Sequence, residues 1–167
     1  MGREMRLTTQ IGEYDMEQVV LDLGLDVNVL PKQTWELMGK PPLGWSPIQL
    51  RLANQQKIIP LGRMSRVSVY LDGVCSTTNF EVIEIVDDSN HYPSLLGIEW
   101  AFDNNSIINL KKRKMIFEDG ATRVITPIDP SDNRRYVEPV KEGIDLDNIY
   151  NRTYKKEDYV DLLQMEI

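Results

Sequence analysis

Val19-Val20-Leu21-Asp22-Leu23-Gly24 is an apolar run that stops on one carboxylate and then turns at glycine. Asp is disfavoured inside strands, so an apolar strand that ends on Asp delivers that side chain to a defined place. Taken alone, Asp-x-Gly also suits an ordinary Asx-type turn. The residues on either side decide between the two.

Working outward, Met16 to Leu21 reads as a strand, and Pro31 to Gly39 as a short helix with proline in its first turn and glycine at its end. Pro41 to Pro47 is loop by composition. Ile48, Leu50 and Leu52 alternate with polar residues, Asn54-Gln55-Gln56-Lys57 forms a polar tip, and Ile58 to Gly62 returns from it. Val67, Val69 and Leu71 alternate up to Asp72-Gly73, a strong hairpin signal, and Thr77 to Val86 is the returning strand. Leu95-Leu96-Gly97 is a short apolar strand with a tight exit, and Glu99 to Asn105 reads as a helical turn. Ile107 to Leu110 and Met115 to Phe117 make a second hairpin around the basic turn Lys111 to Lys114, and Val124-Ile125 adds a last strand. From Asp129 onward charged and polar residues dominate with little periodicity, which reads as a tail. The chain is therefore mainly β.

Composition narrows the chemistry. A net charge of -7 argues against nucleic acid or an anionic membrane as the main partner. No apolar run approaches the ~18–20 residues of a membrane span. The basic start at Met1 to Arg6 is followed by no apolar segment, so it does not read as a secretory signal. Cys75 and His91 are the sole residues of their kinds, which leaves little for a disulfide, a Ser-His-Asp triad, a Cys-His pair or a zinc cluster. No metal or organic cofactor is implied. Carboxylates remain plentiful.

With these features in order, the chain resembles the retropepsins, the half-sized aspartic proteases, and in particular the protease segment of plant gypsy-type retrotransposon polyproteins. The resemblance rests on Asp22-Leu23-Gly24-Leu25-Asp26-Val27-Asn28, on the hairpin of Leu50 to Leu61, and on Leu95-Leu96-Gly97. It implies a retropepsin-like half-barrel, that is, a closed β-barrel with a flap hairpin and one or two short helices, homodimeric when active. It covers residues 12–127, leaving 1–11 as an N-terminal extension and 128–167 as a polar linker towards a reverse transcriptase region. Asp22 would be the catalytic residue, set in the active-site loop with Leu23, Gly24 and Leu25. Asp26, Asn54, Gln55, Gln56, Leu96 and Gly97 would lie at the site of an extended peptide or polyprotein substrate. The compartment implied is the cytoplasm, including retroelement particles.

Peptide hydrolysis by this chemistry needs two carboxylates sharing one proton. With one Asp-x-Gly and no internal repeat, this chain supplies one, so two copies must meet about a two-fold axis. Two residues depart from the family's pattern. Leu23 stands where a Thr or Ser usually cross-links the two loops, and Leu25 where a small residue lines the cleft. The position after Gly97, where retroviral relatives carry an Arg that pairs with the equivalent of Asp26, holds Ile98. These departures motivate the rival expectation of an inactive or domesticated module that keeps the fold as a dimeric peptide-binding or scaffold unit.

Overall fold

The computed structural model describes residues 4–51, 57–85, 92–119, 121–128 and 136–140. The chain enters through β1 (Met5–Ile11) and turns at Gly12, whose φ of +58° suits glycine, into β2 (Tyr14–Asp22). It continues through β3 (Asn28–Pro31) into helix α1 (Lys32–Leu37). Pro31 fixes the entry to α1, and Gly39 at φ +84° ends its last turn, as the sequence pattern anticipates. The short strands β4 (Leu50–Arg51) and β5 (Lys57–Ile58) pair antiparallel, with Leu50 opposite Ile58. They form the stem of the hairpin expected at Leu50 to Leu61.

β6 (Gly62–Leu71) and β7 (Val74–Ile83) form a long antiparallel hairpin. Asp72 and Gly73 both adopt positive φ, +45° and +90°, which matches the twist of a two-residue hairpin turn. β8 (Leu95–Gly97) leads directly into helix α2 (Ile98–Asp103). β9 (Ser106–Asn109), β10 (Lys114–Asp119) and β11 (Thr122–Pro127) make a separate three-stranded antiparallel sheet. β12 (Tyr136–Pro139) completes the described elements.

The main sheet runs β1-β6-β7-β3-β8-β2, and the pairing of β1 with β2 closes these six strands into a barrel. Four contacts around the ring are antiparallel, while β3–β7 and β2–β8 are parallel. Closure removes the free edges that an open sheet exposes. Inside lies a core that includes Leu7, Ile11, Val19, Leu21, Leu30, Phe80, Val82 and Leu96. The three-stranded sheet docks on this core through Met115, Phe117 and Val124. Trp100 of α2 stands edge-on to Phe117 at 5.9 Å, and its indole N–H donates to Ser76 Oγ at 3.2 Å. Thr126 bonds Asp72, fastening β11 to the β6–β7 turn.

Two strands come from segments that the sequence reading places outside the core. β1 lies within 1–11, yet Leu7 and Ile11 are fully buried and pair the strand to both β2 and β6. β12 lies within 128–167 and pairs with the first half of β2, Val137 opposite Met16. The tract containing His91 and the tip residues Asn54, Gln55 and Gln56 lies outside the described residues.

Candidate active site

Asp22 is the last residue of β2 and is half-buried. The strand brings it there because Val19, Val20 and Leu21 are buried and leave it no room to slide inward. Its Oδ1 accepts the Gly24 amide N–H at 2.9 Å, and the Leu25 N–H donates to the Asp22 carbonyl at 3.2 Å. The carboxylate thus ends a strand and opens a tight turn that holds one of its oxygens in place.

β8 lies alongside, with Asp22 in register with Gly97. The Ile98 N–H donates to the Leu25 carbonyl at 2.7 Å, which ties the start of α2 to the loop. Gly97 is needed for space. A Cβ there would sit 2.5 Å from the Val27 carbonyl oxygen and 2.8 Å from that of Leu25. Its φ of -87° is open to any residue, so the requirement is steric.

Asn28 completes the frame. Buried at the start of β3, it accepts the Gly97 N–H on Oδ1 at 2.9 Å. Its amide donates to Thr78 Oγ1 at 2.8 Å and to the Asn79 carbonyl at 3.0 Å. One side chain therefore joins β3, β7 and β8 directly behind the Asp22 loop. Ser94, also buried, donates to the Val29 carbonyl at 2.9 Å and holds the approach to β8.

A second apolar cluster fills the space between the loop and the hairpin stem. It contains Val20, Val29, Leu50, Ile83 and Leu95, with Leu25, Val27, Ile48 and Ile58 packed against it. Leu25, expected to line a cleft, is partly buried in this cluster. The hairpin is fastened at its base by a partly buried ion pair. Glu81, 1% exposed, accepts from Arg63 Nε at 2.6 Å and from Ser46 Oγ at 2.5 Å. Ser46 lies in the segment that leads into β4.

The remaining expected residues fall differently. Leu23 is exposed at the tip of the loop, and Asp26 is exposed as well, with Ile98 rather than an Arg after Gly97. Leu96, expected at the substrate site, is wholly enclosed in the main core, and the face of Gly97 is filled by loop carbonyls. Both sit behind the loop, because the alternation along β8 turns Leu96 into the barrel. Asn28, Ser94 and Glu81 were not singled out from the sequence. A polar residue flanked by apolar ones, as Asn28 is by Val27 and Val29, is the signal that would have found the first of them. Among the described residues no group of three or more His, Cys, Asp or Glu side chains is placed to hold a metal ion.

The closed six-stranded barrel, its two-stranded hairpin and its short helix after β8 define a retropepsin-like fold. Among solved structures the chain is similar to the retroviral protease-like domain of Ddi1 from Leishmania major, with a TM-score of 0.58 and 17% identity. The match covers 80% of this chain and 100% of that one. No protein-family model and no curated protein matches the sequence.

Proposed function

We propose that the chain is an aspartic endopeptidase that works as a homodimer, with Asp22 of each copy forming the catalytic pair. Two carboxylates held ~3 Å apart share one proton. The ionised Asp takes a proton from water as its oxygen attacks the scissile carbonyl carbon, while the protonated Asp donates to the carbonyl oxygen. Collapse of the resulting diol returns a proton to the departing amine. The substrate is an extended peptide within a polyprotein of the gypsy retrotransposon type, lying between the loop and the hairpin. Asp26 and the hairpin tip, Asn54 to Gln56, are the residues proposed to bind its backbone.

The observation that carries this reading is the setting of Asp22. Its carboxylate stands at the open end of a barrel strand, with one oxygen fixed by the Gly24 amide and the loop braced by Gly97 and Asn28. Incubating the chain with an unfolded protein substrate and with a peptide library tests it. Asp22→Asn keeps the shape and the acceptor oxygen but cannot supply the shared proton chemistry, so cleavage should drop by ~10²–10⁴-fold or more. Equal cleavage by both forms rules the mechanism out. The exposed Leu23 at the loop tip favours a second reading, a dimeric peptide-binding module without catalysis. Peptide capture by wild type without cleavage at any pH tried would select it.

A further inference from the structure

We propose that residues 157–167 of this chain dock across the outer face of the β9–β10–β11 sheet and cover it. The observation behind this is burial on the side of the sheet turned away from the core. Side chains alternate along a strand. Met115 and Phe117 of β10 and Val124 of β11 belong to the main core, and Thr126 bonds Asp72 on that same side. Ile116 and Ile125 sit between these residues in sequence, so they point the other way. The register sets them in one row with Ile107, since Ile116 is opposite both. An antiparallel sheet packed on one face commonly leaves the other to water. Ile116 and Ile125 are nevertheless only 3% and 2% exposed, and neither belongs to the barrel core or to the cluster beneath the hairpin. Ile107, at the β9 end of the row, is 46% exposed. The row is therefore closed over at its middle and its β11 end, and open at β9.

Composition, charge and reach select the cover. Of the segments between and beyond the described residues, 1–3, 52–56 and 86–91 each offer one sizeable aliphatic side chain, and 129–135 offers none. Residues 157–167 bring Val160, Leu162, Leu163 and Ile167. They also bring Glu157, Asp158, Asp161 and Glu166 with no Lys or Arg, whereas 141–156 mixes both signs. The face they meet is bordered by base. Alternation puts Lys114 beside Ile116 and Arg123 beside Ile125, and Lys111 and Lys112 are exposed in the adjoining turn. Such complementarity fixes which segment docks and in what orientation. Val140, whose N–H donates to the Glu13 carbonyl at 2.8 Å, marks where the chain leaves β12. The basic turn is at the opposite end of β1, where Arg113 donates to the Glu4 carbonyl at 3.1 Å. β1 has 7 residues, so the two ends lie on the order of 25 Å apart. A connection as long as 141–156 spans ~22 Å as a coil and ~55 Å when extended, so 157–167 can reach the row.

A nitroxide on the full chain tests the docking without reference to cleavage. Cys75, the single cysteine, is replaced by Ser, and the label is carried on Gln164→Cys. The amide signals of Ile107, Ile116 and Ile125 should broaden far more than those of α1, and dilution should not change this, because the tether makes docking intramolecular. Leu162→Asp combined with Leu163→Asp should lower the docking equilibrium constant by ~100-fold or more and abolish the broadening. The same pair should raise the fluorescence of anilinonaphthalene sulfonate as Ile116 and Ile125 are uncovered, with the strand signal in circular dichroism retained. Asn148→Asp combined with Asn151→Asp adds the same charge outside the docking segment and should change neither readout. Broadening no stronger at the sheet than at α1 overturns the proposal, as does broadening that persists in the Leu162/Leu163 variant. Broadening of an isotope-labelled chain by nitroxide carried on a separate, unlabelled chain assigns the face to a second copy and overturns it too.

Discussion

Gly97→Ala tests the geometry of the site most sharply, because the substitution adds one methyl group in a place with no give. The new Cβ would lie 2.5 Å from the Val27 carbonyl oxygen, about 0.9 Å short of the 3.4 Å at which ordinary contact begins. The second and third neighbours, at 2.8 and 2.9 Å, are also backbone atoms, so no flexible side chain can step aside. The Leu25 carbonyl is further committed to the Ile98 N–H. Either β8 or the Asp22 loop must move. Forcing a methyl into a packed site costs ~1–3 kcal/mol. At ~2–4 °C per kcal/mol for a chain of this size, the melting temperature should fall by ~2–12 °C. A loop displaced on the order of 1 Å should cost cleavage ~10²-fold. Thermal and urea unfolding measure the first quantity, and initial cleavage rates the second. Gly44→Ala is the control, since a Cβ there meets nothing closer than the Arg63 carbonyl at 3.8 Å. It should change stability by no more than ~1 kcal/mol. If the two variants behave alike, the steric account of Gly97 is wrong.

Asn28→Ala removes the acceptor for the Gly97 N–H and two donated bonds, leaving buried groups unpaired. Urea unfolding should show a loss of ~2–4 kcal/mol, accompanied by faster hydrogen exchange at the Gly97 amide; unchanged exchange there would deny Asn28 its bracing role. Glu81→Gln keeps the shape of the hairpin anchor but takes its charge from Arg63, whose side chain is 25% exposed. The expected loss is ~1–3 kcal/mol, smaller than for a fully enclosed pair. Because the Glu81 carboxylate is 2% exposed, the difference should persist from ~0.1 M to ~1 M salt, and its disappearance at high salt would show a screened surface pair instead.

The elements that announced themselves in the sequence did so through local rules. Asp72-Gly73 demanded positive φ at both turn positions, and the Asp22 strand ended where its apolar run ended. The Lys111 to Lys114 turn joined two apolar strands, as its flanks required. What stayed hidden depends on distant partners. β1 reads Met-Arg-Leu-Thr-Thr-Gln-Ile, with too many polar residues to stand out, and it is a strand because β2 and β6 flank it. β12 takes its strand form by adding to β2, whichever residues it carries. Glu81 falls in a run of four buried positions, Phe80 to Ile83, so this end of β7 is covered on both faces. Period-two alternation cannot anticipate burial on both faces. Asn28 stands out as a polar residue among apolar ones, but its bracing was out of reach, since its three partners lie in two strands far along the chain.

The parallel pairing of β2 with β8 also says when the site comes into being. Val20 meets Leu95 and Asp22 meets Gly97 with most of the domain's chain between them. Such contacts are the slow step of folding, because the entropy of closing a long loop must be overcome before any contact rewards it. During synthesis Asp22 is made before β8 and waits for it. The β6–β7 hairpin can form meanwhile from neighbouring residues. Only when β8 has been made and placed between β2 and β3 does the loop acquire its brace, so the carboxylate has no frame until the chain has reached Gly97.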